Sequence, residues 1–521
     1  MSKYMNLGYM RKNFILVFGI LMSLTSYAQN TWSDNVAQIV YTNCSSCHNS
    51  FGIAPFDLIT YADAKAQAGA ISAAVQNKSM PPWIADSDYQ RYAHERVLSE
   101  SEITIIKDWV ANGSPEGNAQ NTPPPPVFTS KGFITKKPDL ELRMPVYSSK
   151  ATAFSDDYVC FSVPANIAAN KNIKAFEVIP GNHTIVHHAL VYIDETGMYG
   201  TDTSAGVCTG PTNGLIGGYV PGSPPTVFPS NGTDFNLGFK MTTGSNIVLA
   251  MHYPEGSYGN VDSTIIRFWF YDDGVNIREL QTKPFLENWD FSLPPNQVTD
   301  VQAQRNIGAN DVSVLSVFPH MHLLGSEIGS HAVSQQNDTI RFAQIPHWDF
   351  EWQEFLFFNR IKKVPKYSTL YGYGKYDNTT NNSHNPSNPP VLVRPGLNTS
   401  DEMFLIYFHY MLYEPGDENR NIEQLTSLSD QNPVESMVRV YPNPTSNEVM
   451  FSFIEDVEST LSIRLYDLRG NLVSDLAIDA SQSANSKQVR TKLPEHLNPG
   501  MYCYSINNNG HFYSGKIIIA Q

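Results

Sequence analysis

The sequence predicts a multidomain chain with a small all-helical segment, a long region of short β-strands, and a small β-sandwich at the C-terminus. Length predicts several domains, because 521 residues at roughly 150 per domain make three or four. Composition predicts domains with hydrophobic cores, since 41% of the residues are hydrophobic and only 16% are charged. Patterning divides the chain, because helix-like segments give way near residue 117 to alternating strands with Gly, Pro and Asn turns.

The charge balance argues against a nucleic-acid or anionic-membrane partner. Lys and Arg total 35 against 50 Asp and Glu, which gives a net charge of −15. Three of the positive charges precede residue 29, so a chain without that segment stands at −18. Both kinds of partner require basic patches. We therefore expect no nucleic-acid partner.

The first 28 residues have the pattern of a secretory signal peptide. Basic residues precede an apolar run over 14–22, and Ser26 and Ala28 supply the small residues of a cleavage site. The alternative is a membrane anchor, but this run is too short to span a bilayer, and no later run is long enough. We expect residues 1–28 to be removed and the exported protein, which does not span the membrane, to begin near Gln29.

The helix-rich segment contains Cys44-Ser45-Ser46-Cys47-His48. C-x-x-C-H is the attachment signature of c-type haem, in which two thiols add across the haem vinyl groups and the histidine binds the iron. Without the histidine, a redox disulfide or half of a zinc site would compete. The sequence therefore predicts one covalent haem on Cys44 and Cys47, with His48 as the proximal ligand.

Met80 is the candidate for the other axial ligand. It lies in a proline-containing loop over 78–83, and a thioether sulfur favours reduced iron. The alternative is an ordinary core methionine. With a capped helix expected after Ser99, residues 29–117 resemble a small cytochrome c, an electron-transfer module without an open iron position. A proline-rich linker over 118–135 is expected to follow.

Five further histidines lie in three motifs on strand-like segments, His187-His188, His252 and His320-Met321-His322. Adjacent strand residues point to opposite faces, so the pair needs a bulge or kink to share a metal, whereas residues i and i+2 share a face. Each motif alone has a structural alternative, such as a hydrogen-bonded core histidine. Together, in a secreted chain, they indicate an imidazole-dominated site for copper or zinc. The adjacent redox module favours copper, because zinc has no redox chemistry.

These motifs, followed by Asp401-Glu402-Met403, resemble the type II copper monooxygenases in order and spacing. That family includes the peptidylglycine α-hydroxylating and dopamine β-monooxygenases. The resemblance covers roughly residues 140–413, with further agreement at Tyr158-Val159-Cys160-Phe161 and Thr243-Gly244-Ser245. It implies two antiparallel β-sandwich, jelly-roll-like copper domains, over 136–288 and 289–415, that face a solvent-filled cleft.

The resemblance also implies two copper ions with different roles. His187, His188 and His252 would hold the copper that stores an electron. The copper at which O2 binds would be held by His320, His322 and Met403. A soft thioether ligand agrees with that role, because it stabilises Cu(I).

The departures from the family pattern concern the substrate. The peptide-amidating members bind a substrate carboxylate with an arginine and an asparagine at the positions of Phe318 and Leu405. The family tyrosine two residues further on is matched by Tyr407, which the resemblance places in the catalytic site. We therefore expect a small-molecule or secreted organic substrate that presents an apolar or neutral group, and not a glycine-extended peptide.

The remaining cysteines and histidines give weaker indications. Cys160 and Cys208 could pair with each other, although this is not the pairing that the family resemblance implies. His183 could be a turn residue or a neighbour of the first copper site. His409 is predicted to be structural.

Residues 416–435 are predicted to be a polar linker and 436–521 a small β-sandwich with strands over 448–453, 461–466, 501–506 and 512–519. This last block resembles the C-terminal sorting domain of type IX secretion in Bacteroidetes, on the motifs Val440-Tyr441-Pro442-Asn443-Pro444 and Leu465-Tyr466-Asp467-Leu468-Arg469-Gly470. The resemblance implies export by the type IX secretion machinery, to the medium or the outer cell surface. The alternative, a carbohydrate-binding sandwich, lacks an evident aromatic platform.

Taken together, the sequence predicts a secreted copper monooxygenase that hydroxylates an activated C–H bond with O2. Electrons would arrive through the fused haem from an external donor, an ascorbate-like reductant or a redox protein. One alternative is a non-catalytic copper-binding or electron-transfer protein at the cell surface. Another is a zinc-dependent hydrolase, which lacks an identifiable general base.

Overall fold

A computed structural model describes most of residues 29–519. The described ranges exclude 127, 129–131, 135, 154, 205–207, 209, 212, 351, 427–437, 442, 444, 446–447, 454–459, 468–471, 480–487, 495–496 and 509–510. The predicted signal peptide, 1–28, and the second part of the predicted linker, 427–435, lie outside these ranges. Within the described residues, no helix combines the length and the apolar character needed to cross a membrane.

The helical module, residues 29–126, is built from short helices around one core. They are α1 (Ala37–Asn43), α2 (Tyr61–Ala66), α3 (Ala68–Gln76) and α4 (Glu100–Ala111), with a π-helical turn at Trp32–Val36. Capping boxes begin α2 at Thr60 and α4 at Ser99. The apolar faces meet around Trp32 and Trp109, both fully buried. The predicted capped helix after Ser99 is confirmed.

Part of this module lies against the neighbouring β-structure. We call residues 82–98, between the Met80 loop and α4, the strap. Three hydrogen bonds join the strap to the second sandwich, each with a donor–acceptor distance of 2.8 Å. Asp86 N–H donates to Gln344 O, Ala93 N–H donates to Phe357 O, and Tyr92 Oη–H donates to Phe342 O. Ala85 and Tyr92 belong to the same buried core as the strands that they contact. The helical module is therefore docked through its strap, not only tethered by a linker.

The first sandwich packs two larger sheets face to face. Its strands are β1 (Leu140–Arg143), β2 (Tyr147–Ser148), β3 (Asp157–Pro164), β4 (Lys171–Ile179), β5 (His188–Asp194), β6 (Leu215–Tyr219), β7 (Thr226–Val227), β8 (Leu237–Met241), β9 (Asn246–Tyr253), β10 (Val261–Asp262), β11 (Ile265–Phe270) and β12 (Arg278–Glu279). One sheet has the order β1-β11-β4-β8-β12, with β7 on β4, and the other has β3-β9-β5-β6. A short β2–β10 ladder lies beside them.

The second sandwich contains β13 (Gln281–Asn288), β14 (Gln297–Asn306), β15 (Val312–His320), β16 (Gly325–Val333), β17 (Thr339–Ile345), β18 (Leu356–Val364), β19 (Thr369–Asn378) and β20 (Phe404–Leu412). Its sheets have the orders β13-β20-β15-β18 and β14-β19-β16-β17. All their ladders are antiparallel. The β-rich, sandwich-like architecture predicted for the central region is confirmed.

The change from one sandwich to the other falls earlier than expected. β12 pairs with β8 of the first sandwich, whereas β13 pairs with β20 of the second. The chain therefore changes sheets near Leu280, ahead of the predicted boundary at 288/289, because the register of β13 completes the second sandwich.

The start of the predicted linker also packs on the two sandwiches. A 3-10 turn at Asp417–Asn419 and a short helix, α5 (Ile422–Leu425), follow β20. Arg278 donates to both carboxylate oxygens of Asp417, at 2.6 and 2.9 Å, and Ile422 is fully buried in the core of the first sandwich. Residues 416–426 therefore form part of the packed body.

The C-terminal block has the predicted small-sandwich pattern. Its strands are β21 (Val438–Tyr441), β22 (Glu448–Phe453), β23 (Thr460–Tyr466), β24 (Leu472–Asp479), β25 (Gln488–Lys492), β26 (Gly500–Asn508) and β27 (His511–Ile519). They form sheets of order β21-β22-β25 and β24-β23-β26-β27. Phe451, Ile463 and Ile506 are buried between these sheets.

Replacing Tyr92 by alanine is expected to destabilise the body formed by the helical module and the two sandwiches. The change removes a buried ring and leaves the Phe342 carbonyl without its donor, at a cost of about 3–5 kcal/mol in the free energy of unfolding. Urea unfolding followed by tryptophan fluorescence measures this. Tyr258→Ala, at an exposed position, is the control. Equal midpoints for the two variants would contradict docking through the strap.

Candidate metal centres

Three histidines meet at the edge of the first sandwich. His188 opens β5 and pairs directly with His252 of β9, while His187 lies just before the strand and donates its N–H to His252 O over 3.0 Å. Because His187 is outside the strand, strand alternation does not separate it from His188. The Nδ1 of His188 lies 3.5 Å from that of His187 and 3.3 Å from that of His252. We call these residues the first histidine cluster.

The first histidine cluster is suited to hold a metal. Its ligand atoms all lie within 4.8 Å of one another. Burial lowers the pKa of His187 to about 4 and that of His188 well below its usual range, and the neighbouring imidazoles act in the same direction. Neutral imidazoles offer lone pairs, so His187 and His188 can bind an ion at pH 7, and His252 places a third nitrogen within reach.

Two side chains orient His252. Its Nε2 lies 3.2 Å from Oδ2 of Asp156, and its ring stacks on Tyr158 with centroids 4.4 Å apart. Burial alone would raise the pKa of Asp156, but hydrogen bonding and attraction to His252 bring it below the usual value. With the carboxylate beside Nε2, Nδ1 of His252 faces His188. Asp156 was not identified from the sequence, because an acidic residue just before a strand carries no distinctive signal.

His320 and His322 lie close together where β15 ends. Their ring centroids are 5.1 Å apart. Nδ1 of His320 lies 2.5 Å from Gln353 Oε1, and Nδ1 of His322 lies 3.1 Å from Asp401 O. Both partners are acceptors, so each Nδ1 carries the hydrogen and each Nε2 is left to bind a metal. Burial lowers the pKa of His320 to about 4 and that of His322 to about 3.

A buried carboxylate joins this pair to Met403. Glu402 Oε2 accepts from the N–H groups of His322 and Met403, at 2.8 and 3.2 Å, and Oε1 accepts from Leu324 N–H at 2.6 Å. Burial raises the pKa of Glu402 to about 8, although these hydrogen bonds oppose the shift. Met403 is itself buried. Glu402 thus brings the backbones of the predicted ligands together, and we call His320, His322 and Met403 the second cluster.

The loop between β17 and β18 contacts both clusters. The Phe350 ring centroid lies 6.3 Å from that of His252 and 5.8 Å from that of His322. These two imidazoles are therefore no more than about 12 Å apart, the sum of the two distances. Trp348 Nε1–H donates to His322 O over 3.2 Å. The sequence showed this aromatic run but not its position between the clusters.

One cleft of about 1770 Å³ gives access to both clusters. His252 and His322 line it, and so do Met80 and Trp83 from the helical module. Its described walls carry more acidic than basic side chains: Asp86, Asp88, Asp156, Glu255, Asp349 and Asp377 against Lys78 and Arg96. This imbalance disfavours an anionic ligand.

Phe318, Leu405 and Tyr407, predicted to contact substrate, are not among the described residues that line this cleft. Phe318 is fully buried and stacks on Phe355 at 4.8 Å, with Tyr407 at 6.2 Å. Leu405 pairs with His320 in the β15–β20 ladder. Phe318 lies two residues before His320 on the same strand, and the Phe355 ring stacks on it. A catalytic role for Tyr407 stays a prediction.

The disulfide suggested by the sequence is formed. Cys160 and Cys208 are bonded, 48 residues apart along the chain. They lie in one buried cluster with Phe318 of the second sandwich. His409 lies nearby, fully buried, with Nδ1 2.9 Å from Ser316 Oγ and its ring stacked on Phe355 at 4.3 Å. These contacts agree with the structural role predicted for His409, while His183 lies in the turn before His187.

The C-x-x-C-H residues follow α1 in the helical module. Neither Cys44 nor Cys47 is in a disulfide. His48 Nδ1 lies 3.0 Å from Phe56 O, which leaves Nε2 as the nitrogen available to iron. Met80 and Val97 are exposed to the cleft, at 44% and 38% of their surfaces. His48 keeps one nitrogen available to iron, whereas Cys47 Sγ lies 3.8 Å from Pro221 O of the first sandwich. The haem stays a prediction.

Two stretches of the chain match known families. Residues 296–436 match the C-terminal domain of the copper type II ascorbate-dependent monooxygenases. This match contains β14–β20 and therefore the second cluster. Residues 439–520 match the secretion system C-terminal sorting domain. The chain therefore carries a domain similar to those of copper-dependent oxidoreductases, and the sorting domain directs its export to the cell surface or the medium.

Two solved structures with partial similarity to this chain are bacterial β-glucuronidases. A β-glucuronidase of Faecalibacterium prausnitzii is 12% identical, with 43% of this chain and 37% of that chain covered and a TM-score of 0.13. A Ruminococcus gnavus β-glucuronidase is 10% identical, with 43% and 36% covered and a TM-score of 0.12. The chain thus spans less than two fifths of the length of these enzymes. Such scores support no conclusion about fold or activity.

Replacing Glu402 by glutamine is expected to weaken the second cluster. The amide NH2 cannot accept, whereas both oxygens of the Glu402 carboxyl group now accept backbone N–H groups, and each unsatisfied group costs about 1–3 kcal/mol. Copper affinity at this cluster should fall about 10–100-fold. Chelator competition and thermal unfolding measure the two effects. Glu195→Gln, at an exposed position, is the control, and unchanged affinity in Glu402→Gln would contradict the role of the carboxylate.

The metal-free protein is expected to lose stability as the pH falls from about 6.5 to 4. In the unfolded chain imidazoles bind protons below a pKa of about 6.5, whereas burial keeps His187 and His320 neutral down to about 4. Protonation therefore favours the unfolded state, by up to about 1.4 kcal/mol per pH unit for each such histidine. Thermal unfolding across this range measures the slope.

The matched variants for this pH dependence are His320→Gln and His384→Gln. The first removes a buried titrating group and should flatten the slope. The second alters an exposed histidine and should leave the slope as in the parent. Identical slopes in all three proteins would contradict the buried, neutral state of His320.

Proposed function

We propose that the protein is a secreted copper monooxygenase whose two clusters each hold one copper ion. The observation that carries the proposal is the arrangement of two sets of imidazoles beside one cleft, which His252 and His322 line, with Phe350 in contact with both. Copper at these positions would supply one-electron redox steps and, when reduced, reactivity with O2. The family match over residues 296–436 supports this chemistry for the second cluster.

The first cluster would serve for electron storage. His187, His188 and His252 present three nitrogens of one kind, and an all-imidazole site suits copper in both of its common oxidation states. Asp156 holds His252 from behind. A ligand held in this way moves little when the copper ion changes its oxidation state.

The second cluster would be the site of oxygen chemistry. The chain supplies His320, His322 and the thioether of Met403, a soft ligand that favours Cu(I). Gln353 and the Asp401 carbonyl keep the hydrogen on each Nδ1, so that Nε2 remains a ligand. Hydroxylation of an activated C–H bond would consume O2, two protons and two electrons, one from each copper site, and would release the hydroxylated product and water.

The substrate would enter through the cleft, and the protein would not bind it through a substrate carboxylate. The acidic excess along the described walls opposes an anion, and the family's carboxylate-binding positions are occupied by Phe318 and Leu405, both buried. Trp348 and Phe350 offer apolar surface beside the second cluster. We infer a neutral or apolar group at the reacting end of the substrate.

The helical module would hold a covalent haem that supplies single electrons. Cys44 and Cys47 would attach it, His48 and Met80 would be its axial ligands, and the Phe56 carbonyl keeps the hydrogen on Nδ1 of His48. Met80 lines the same cleft as His252 and His322. This proximity supports delivery of electrons from an external donor, ascorbate-like or a redox protein, to the copper sites.

Metal and haem content tests this proposal. Protein made with a haem-attachment system and reconstituted with copper should contain two coppers per haem. His252→Ala and Met403→Ala should each contain one, because each removes a ligand from a different cluster, whereas His384→Ala should keep two. Haem without tightly bound copper would overturn the proposal. Two coppers with O2 consumption but no hydroxylated product would favour the copper-binding or electron-transfer alternative.

A further inference from the structure

Arg96 of the strap forms a buried ion pair with Glu354 of the second sandwich. Its Nη2 lies 2.5 Å from Oε1 and its Nη1 3.3 Å from Oε2, so both guanidinium nitrogens contact the carboxylate. The two side chains are only 14% and 15% exposed. A bidentate pair in such surroundings constrains both partners, because removal of one leaves a buried charge without compensation.

The helical module itself holds Arg96 in place. Nε–H of Arg96 donates to Pro82 O over 3.3 Å, and the guanidinium lies over the Trp83 ring at 5.4 Å. Pro82 and Trp83 directly follow the Met80 loop. The position of the guanidinium is therefore determined by the docked module.

Glu354 is the neighbour of the residue that orients His320. Gln353 is buried, and its Oε1 lies 2.5 Å from His320 Nδ1. Its Nε2–H donates to Phe350 O over 2.7 Å. One short segment thus contacts the helical module through Glu354, the second cluster through Gln353, and the space between the clusters through Phe350.

The hydrogen bond from His320 to Gln353 determines what the imidazole can bind. While the amide oxygen accepts from Nδ1, the lone pair of the ring is on Nε2. If Gln353 moves, His320 can rotate or change tautomer. Loss of such a partner typically costs 10–100-fold in metal affinity.

We propose that the helical module is a positioning element for the second metal centre, and that it acts through Arg96, Glu354 and Gln353 on His320. Arg96 and Glu354 are positioning residues, since neither contacts the ligand nitrogen. The inference rests on the proposed function, because it assumes copper at the second cluster. It adds that this centre reaches full affinity only when the module is docked.

Copper affinity, measured without substrate, tests the inference. In a His252→Ala background, which removes the first site, Arg96→Met and Glu354→Gln should each lower copper affinity about 10-fold or more. Chelator competition gives the affinity, and the Cu(II) EPR spectrum reports the change in ligand geometry. The charge-exchanged double variant, Arg96→Glu with Glu354→Arg, should recover part of the affinity.

The matched control breaks another contact of the same interface. Lys362 Nζ donates to Gln90 Oε1 of the strap over 2.6 Å, and neither residue contacts Gln353 or His320 in the described structure. Lys362→Met should therefore keep the parent affinity. Arg96→Lys, which keeps the charge and loses the bidentate geometry, should give an intermediate value and serves if Arg96→Met fails to fold.

The outcomes separate this inference from the proposed function. Parent affinity in Arg96→Met, Arg96→Lys and Glu354→Gln would overturn the inference and leave the copper proposal intact. An equal loss in Lys362→Met would also overturn it, because the effect would then be general loosening of the interface. No copper at the second cluster of the parent protein would overturn the proposed function itself.

Discussion

The arrangement of both candidate centres depends on the desolvation of imidazole. A histidine that binds a metal inside a protein must be neutral, and its other nitrogen must find a partner. Here that partner is a carboxylate for His252, an amide oxygen for His320 and a main-chain carbonyl for His322. Burial and hydrogen bonding therefore select the tautomer before any metal arrives, and each sandwich supplies its own means of doing so.

The ligand motifs were predictable because they are local. Adjacent histidines, the His-x-His pair and the Glu-Met dipeptide can be recognised within a few residues, and the strand pattern follows from alternation. The sequence also predicted that the backbone must bend at His187-His188 if both are to bind one metal. In the structure His187 lies just before β5, so the two side chains are not separated by strand alternation. The C-terminal strands agree closely for the same reason.

The supporting contacts could not be predicted, because they join distant segments. Arg96 and Glu354 are 258 residues apart, and His320 and Gln353 are 33 apart. No sequence pattern marks a glutamine as the partner of a particular histidine. Phe318 shows the converse case, since its position relative to the His-x-His motif suggested contact with substrate, whereas it is buried and stacks on Phe355.

The strap has a consequence for the order of maturation. Tyr92 and Ala93 form hydrogen bonds with residues about 250 positions later in the chain. The helical module is synthesised first, but it can dock only after these later residues have been made and folded. While the later strands are still unfolded, the Met80 loop and the strap lack the surface on which they finally lie. Covalent modification of Cys44 and Cys47 would therefore take place on an undocked module, and closure over the cleft would be the last step of assembly.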